Sequence, residues 1–192
     1  MSKANRAYAA VAIAVLASLV VLVPAAAAAE AKQKQKPPPS CASALPPGAA
    51  RKLAAEHKGW RILERTNLSA EVRASWDSAH KGECPGVAKA RVAPNILAYA
   101  ALLIRVMKDG KQTRLVMLAQ NASGYDLMQV YQEARLDAYP VVYRGAPGPY
   151  RDRRYEGTVN IKHDSVIYER PGAGKLAFYY NGRNFSSVQV AD

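Results

Sequence analysis

The sequence contains few of the residues from which metal centres and covalent active sites are built. Only two cysteines and three histidines occur among its 192 residues. No Cys-x-x-Cys, His-Glu-x-x-His or closely spaced pair of histidines is present, so a zinc site has no local support. No serine lies in a Gly-x-Ser-x-Gly setting, and residues 172–175 lack the spacing and the following helix of a phosphate-binding loop. We therefore predict no metal, no cofactor and no catalytic residue, with one alternative given below.

Long apolar runs are also scarce, and the only one covers residues 8–23. Lys3 and Arg6 precede this run, and Pro24 with the small residues 25–29 follows it. A basic start, a short apolar run and a small-residue end are the pattern of a secretory signal peptide, here residues 1–29. The alternative is an uncleaved membrane anchor, but about 16 apolar residues fall short of the ~20 that a spanning helix needs.

Acidic residues are outnumbered, with 15 Asp and Glu against 27 Lys and Arg and a net charge of +12. Removal of residues 1–29 leaves a chain of 163 residues, which is the length of one domain. The net charge of this shorter chain is +10. Export would place this domain in the periplasm or outside the cell. Its charge favours anionic partners such as envelope polymers or glycans, although charge spread along a chain also fits an ordinary solvated surface.

The two cysteines, Cys41 and Cys84, predict one disulfide in an oxidising compartment. Neither has a nearby histidine in sequence that would mark a reactive thiolate. The bond would tie the N-terminal segment of the domain to the loop that precedes its main sheet. We expect a structural role for it.

The order of local patterns predicts an α+β fold, a meandering antiparallel β-sheet with one or two short N-terminal helices. Residues 30–40 form a basic, proline-rich linker that we expect to be disordered, and residues 41–192 form the single domain. One helix follows Pro46 and Pro47, and a second opens at Ser69. The predicted strands, separated by turns that include Asp-Gly and Asn-Gly, cover residues 60–66, 99–106, 113–119, 125–132, 158–161, 165–168, 175–180 and 184–190.

Two further expectations concern details of this sheet. Alternation along residues 125–132 places Leu127 and Tyr131 on one face and Val130 on the other. Residues 140–149 are rich in turn formers and predict a connection rather than a strand.

Tyrosines and arginines are concentrated in the C-terminal half, where nine tyrosines lie between residues 125 and 180. Tyrosine offers a flat apolar ring with a hydroxyl, and arginine a planar cation, so together they suit a sugar, peptide or polyanion. The alternative is ordinary strand composition, since aromatic residues favour strands. The part of this region that we expect in loops gives the predicted binding surface, which consists of Tyr143, Tyr150, Arg151, Arg153, Arg154 and Tyr155.

The alternative function is hydrolysis of an envelope polymer by His163 and Asp164. A histidine next to a carboxylate could act as a base with an orienting partner. The same dipeptide is typical of a β-turn, and a working site also needs an activated nucleophile.

Two segments carry a resemblance to known proteins. One is Cys84-Pro85-Gly86 followed by the apolar strand at residues 99–104, and the other is residues 163–168 followed by residues 178–185. Together they resemble a loose group of small exported bacterial proteins of uncharacterised function. Similar proteins often carry an acidic loop like those of FG-GAP or VCBS repeats before the strand. Residues 87–98 here contain no Asp or Glu, so the carboxylates that a calcium site needs are absent.

These observations predict an exported, non-enzymatic domain that binds an envelope component or a protein partner. Specific inhibitor and immunity proteins of the envelope share this profile. The sequence indicates no specific nucleic-acid partner, and after removal of the signal peptide no integral membrane segment is expected. The oligomeric state stays open.

Overall fold

A computed structural model describes residues 40–108, 110–155 and 157–190. The predicted signal peptide, residues 1–29, and all of the predicted linker except residue 40 lie outside the described residues. Helix α1 spans Pro47–Glu56 and begins with a proline at its first position. Helix α2 spans Ala70–Ala79, and the Ser69 side chain accepts a hydrogen bond from the Val72 amide. Both predicted helices are therefore confirmed.

The described residues form eleven strands, all paired antiparallel as the sequence predicts. The bounds are β1 Arg61–Ile62, β2 Val87–Ala93, β3 Ile96–Met107, β4 Gly110–Asn121, β5 Gly124–Leu136, β6 Val141–Gly145, β7 Gly148–Arg151, β8 Thr158–Ile161, β9 Ser165–Arg170, β10 Gly174–Tyr180 and β11 Phe185–Val190. Sheet I has the order β1-β3-β4-β5, with β2 also paired to β3. Sheet II has the order β11-β10-β9-β6, and strands β7 and β8 form a separate two-stranded ribbon.

The layers follow from where apolar side chains are buried. One face of sheet I packs against one face of sheet II, for example through Leu102 and Tyr168. The opposite face of sheet I is covered by α1 and the segment around Cys41, with Leu103 buried beneath them. The outer face of sheet II carries the ribbon, which contributes Ile161. Sheet I is thus covered on both faces, which explains the unbroken apolar run along β3.

A polar cluster joins the two sheets near one end of the sandwich. The hydroxyl of Tyr168 donates a hydrogen bond to Glu133 at 2.5 Å and lies 3.2 Å from the Thr113 hydroxyl. Arg170 pairs with the same Glu133 carboxylate at 3.1 Å. Burial and the neighbouring Glu133 carboxylate raise the pKa of Tyr168. The phenol therefore stays protonated and acts as a fixed donor between the sheets.

Several local predictions were wrong. The strand expected at residues 60–66 is only Arg61–Ile62, because the chain then turns into the short 3-10 helix Arg65–Asn67. Residues 140–149 contain all of β6 and part of β7 rather than a connection alone. Strand β2 was not predicted at all.

The expected alternation along residues 125–132 was also wrong. The register between β4 and β5 shifts by one residue where Val130 stands, which is the signature of a β-bulge. Leu127 packs on the outer face of sheet I, whereas Val130 and Tyr131 both pack between the sheets. One inserted residue is enough to turn the following side chains to the other face.

Candidate functional site

A cleft of about 960 Å³ lies beside Cys41 and Cys84, and we call it the disulfide cleft. Its walls come from five parts of the chain: the first 3-10 turn, the turn at residues 64–66, the end of α2 with the loop after it, the start of β2, and β6. Its volume falls in the range of clefts that hold small molecules or polymer segments.

The disulfide fixes one wall of this cleft. Cys41 and Cys84 are joined, with their Cα atoms 5.4 Å apart, as the sequence predicts. Gly86 follows two residues later and passes directly over the backbone of Leu63. A Cβ atom at Gly86 would lie 2.0 Å from the Leu63 carbonyl oxygen, so only glycine fits this crossing.

The three carboxylates that line the disulfide cleft all have partners. Both oxygens of Glu64 accept hydrogen bonds from the Cys41 amide, at 3.0 and 2.9 Å. Asp77 is paired with Arg65, and Glu83 lies 3.4 Å from the Nδ1 atom of His80. Each carboxylate of the lining therefore has a polar or charged group of the protein beside it.

Three cations of the lining are much less engaged: Lys81, Lys89 and Arg144. In the described part of the chain, Lys81 makes no hydrogen bond or ion pair, and Lys89 approaches only the ring of Tyr99, at 5.9 Å. The Arg144 side chain is 66% exposed, and its nearest carboxylate is 4.0 Å away. The cleft consequently presents positive charge to whatever enters it.

Of the predicted binding residues, only Tyr143 lines the disulfide cleft. It is half-buried, its hydroxyl donates to Glu169 at 2.7 Å, and its ring centroid lies 4.5 Å from that of His80. Tyr143 is therefore a fixed wall, held by contacts that also place the end of α2.

Tyr150 lies elsewhere, between the ribbon and sheet II. Its hydroxyl donates to the Ala146 carbonyl at 2.6 Å and lies 3.3 Å from the Ser165 hydroxyl. The ring packs on the outer apolar cluster of sheet II. Its polar and apolar parts are both used to dock the ribbon.

The remaining predicted residues lie at the turn of the ribbon, residues 151–155, which we call the ribbon loop. Asp152 is buried, and Arg154 both pairs with it at 3.4 Å and donates to the Ser187 carbonyl at 2.8 Å. Burial of Asp152 opposes ionisation, but the hydrogen bonds from Arg154 outweigh it and lower the pKa of this carboxyl. The Arg153 amide donates to the Gln189 carbonyl at 3.0 Å.

These contacts place the ribbon loop along the edge of β11. Arg151 and Tyr155 are exposed, Tyr155 with 78% of its surface, and the Tyr155 ring centroid lies 5.5 Å from the Arg154 guanidinium. The six predicted residues therefore fall into three separate places, and half of the ribbon loop protects a sheet edge from other chains.

His163 and Asp164 form the turn between β8 and β9. The Asp164 carboxylate accepts a hydrogen bond from the Arg91 amide at 2.9 Å, and its own amide donates to the Arg91 carbonyl at 3.1 Å. No hydrogen bond joins His163 to Asp164 in the described part of the chain, and neither residue lines the disulfide cleft. Asp164 thus fastens the turn to β2.

Sequence reasoning missed the three cleft cations. The signal for one of them was present, because Ala88, Ala90 and Val92 alternate with Lys89 and Arg91 as in a half-exposed strand. Nothing local marked Lys81, and nothing local showed that Arg144 lies near it, since their proximity depends on how α2 and β6 meet.

Among residues 40–108, 110–155 and 157–190, no helix has the length and apolar character that crossing a membrane requires. The same residues bring together no group of three side chains suited to a metal ion. Comparison with known proteins found no matching family model, no matching curated protein and no matching solved structure. The resemblance to small exported bacterial proteins remains a prediction.

Proposed function

We propose that this chain is an exported, non-enzymatic domain that binds an anionic envelope polymer or glycan in the disulfide cleft. The observation that carries the proposal is a difference between the carboxylates and the cations of the cleft in the partners that they have within the protein. Glu64, Asp77 and Glu83 have partners, whereas Lys81 and Lys89 have no carboxylate partner. A ligand with carboxylate or phosphate groups would supply what the cations lack.

The shape of the cleft supports a polymer segment rather than a compact ion. About 960 Å³ accommodates several sugar units or their equivalent. The disulfide and the Tyr143 contacts hold the walls in place before binding, which lowers the entropy cost of association. The net charge of +10 expected after export would also attract polyanions over a distance at low salt.

A charge-matched pair of triple variants tests the proposal. Lys81→Gln, Lys89→Gln and Arg144→Gln together remove the cleft cations. Arg51→Gln, Lys162→Gln and Arg183→Gln together remove three exposed cations that do not line the cleft. The probes are fluorescent hyaluronan, which carries carboxylates, and neutral dextran.

We expect the cleft triple to weaken hyaluronan binding by on the order of tenfold more than the matched triple at about 150 mM salt. Neither variant should bind dextran. Equal weakening by both triples would mean that the charge acts as a diffuse surface, and the cleft proposal would then be wrong. Export is tested separately by the mass of the chain recovered from the envelope fraction, which should lack residues 1–29.

A further inference from the structure

The hairpin formed by β3 and β4 ends in an exposed apolar pair. Burial along β3 is complete at Ile104 and stops at Arg105. Val106 is then 65% exposed and Met107 36% exposed. In the described residues these are two of the three large hydrophobic side chains that lie open to solvent, the third being Tyr155. We call residues 105–108 the hairpin tip.

Turns between strands usually carry small or polar residues, so an apolar pair at the end of a hairpin calls for an explanation. Val106 and Met107 belong to none of the three apolar clusters of the domain. They also line neither the disulfide cleft nor a shallower groove between residues 128–130 of β5 and residues 184–187 at the start of β11. Their exposure therefore serves no packing role in the described structure.

Cations flank this apolar pair in sequence and lie on the neighbouring strand. Arg105 and Lys108 are exposed and make no hydrogen bond or ion pair with described residues. Arg61 is exposed on the neighbouring strand and pairs in register with Ile104, next to the tip. Lys111 is engaged instead, with its ammonium 2.9 Å from the Asp137 carbonyl. The turn sequence also holds one acid, Asp109, so residues 105–111 keep a net charge of +2.

Two open apolar side chains with exposed cations next to them in sequence and on the neighbouring strand match the chemistry of an anionic bilayer surface. The apolar groups enter the boundary between headgroups and acyl chains, and the cations contact lipid phosphates. Long arginine and lysine side chains can reach those phosphates while their stems stay beside the apolar pair. The surface of a protein partner in water does not present an anionic layer above an apolar one in this way.

We propose that the hairpin tip docks this domain onto an anionic lipid surface, with Val106 and Met107 entering the interface and Arg61, Arg105 and Lys108 contacting the headgroups. The hairpin tip shares no residue with the disulfide cleft. Binding of lipid and binding of polymer are therefore separable activities of one domain.

The test is partition of the protein, as recovered from the soluble envelope fraction, onto vesicles containing about 30% phosphatidylglycerol in phosphatidylcholine. Vesicles of pure phosphatidylcholine are the lipid control. Val106→Ser with Met107→Ser removes the apolar pair, and Arg105→Gln with Lys108→Gln removes two cations. The controls are Tyr155→Ser and Arg151→Gln with Arg183→Gln, which change exposed residues of the same kinds outside the tip.

We expect each cation of the tip to contribute about a fivefold change in the partition coefficient at low salt. The apolar double variant should lose at least as much and keep that loss at higher salt, because its contribution is not electrostatic. All four residues are exposed, so folding should be unchanged. Binding by the tip variants equal to wild type, or equal losses in the matched controls, would overturn the proposal.

A second measurement does not depend on loss of binding. Met107→Trp places a reporter at the tip, and its emission should shift to the blue on vesicles with phosphatidylglycerol and not on pure phosphatidylcholine. No shift would overturn insertion of the tip. The triple variant of the disulfide cleft should bind these vesicles with little change, so failure of one proposal leaves the other intact.

Discussion

The disulfide cleft and the ribbon loop contain the same kinds of residue but use them in opposite ways. In the ribbon loop, Asp152 and Arg154 satisfy each other and the edge of β11. In the disulfide cleft, the carboxylates are satisfied and cations are left over. The number of arginines and tyrosines in a segment therefore does not show which of their charges are free after folding. Our proposal places binding where charges still lack a partner.

The comparison between the cleft and the ribbon loop depends on the cleft being rigid. Loss of the disulfide should lower the free energy of unfolding more than any other change. Replacing Cys41 and Cys84 with serine opens a loop with a sequence separation of 43 residues. In the chain-entropy model this lowers the free energy of unfolding by about 4 kcal/mol. Urea denaturation of the wild type and the double variant measures this decrease in the free energy of unfolding. Reducing agent should destabilise the wild type by a similar amount and leave the double variant unchanged.

A second, smaller effect is expected at the crossing of Gly86 over Leu63. Gly86→Ala forces a Cβ atom to within 2.0 Å of a backbone oxygen, so the chain must shift, at a cost of about 2–3 kcal/mol. Gly82→Ala is the matched control, because its Cβ would meet nothing within 4 Å. Gly82 has a φ of +80°, so alanine there should cost only about 1 kcal/mol. Equal costs at both positions would contradict the crowded crossing.

The third prediction concerns the pH dependence of stability. It involves a histidine on the face of sheet I that is turned away from sheet II. His57 is buried, and its Nδ1 atom lies 3.0 Å from the Arg114 guanidinium. Burial first, and then the positive charge of Arg114, lower the pKa of His57. The unfolded chain therefore binds a proton at a higher pH than the folded chain does. Stability should fall as the pH drops below about 6.5, the ordinary pKa of histidine, toward the lowered folded pKa.

Denaturation midpoints between about pH 8 and pH 5 measure this slope. His57→Gln should remove its contribution to the slope, since the variant side chain does not titrate. Arg114→Gln should make the slope shallower, because one of its two causes is lost. A slope that is the same in the wild type and His57→Gln would mean that other groups govern this range.

The fold could be predicted from sequence where the signal is local. Ser69 and Pro47 marked the helix starts, and turn residues marked the hairpins that join β3 to β4 and β10 to β11. Three sheets rather than one could not be predicted, because the division depends on which strand edges meet in space. The bulge at Val130 could not be predicted either. The residues around it alternate as in a regular strand, and the extra residue shows only in the pairing of β5 with β4.

The candidate site was less predictable than the fold for the same reason. Cys41 and Cys84 were expected to join, but their bond did not reveal that Lys81 and Arg144 would share a cleft. The ribbon loop was chosen for its composition, and composition does not show that Arg154 is engaged with Asp152. Satisfaction of charge is a property of the tertiary structure.

The smallest expected effects belong to the exposed residues of the ribbon loop, and they sharpen the comparison most directly. Arg151→Gln and Tyr155→Ser should each change stability by no more than about 0.5 kcal/mol, because substitutions at exposed surface positions rarely do more. Their affinity for hyaluronan should match that of the wild type. Arg154→Gln should lower the melting temperature, since its contacts to Asp152 and Ser187 are lost, while its affinity stays the same.

Titration calorimetry and thermal melts on the same samples separate these outcomes. Suppose instead that Arg151→Gln and Tyr155→Ser weakened polymer binding as much as the triple variant of the disulfide cleft. The ribbon loop would then be the binding surface despite its role along β11, and the cations of the cleft would serve another purpose. Wild-type affinity in both variants, together with loss in the cleft triple, would place polymer binding where charge is left unpaired.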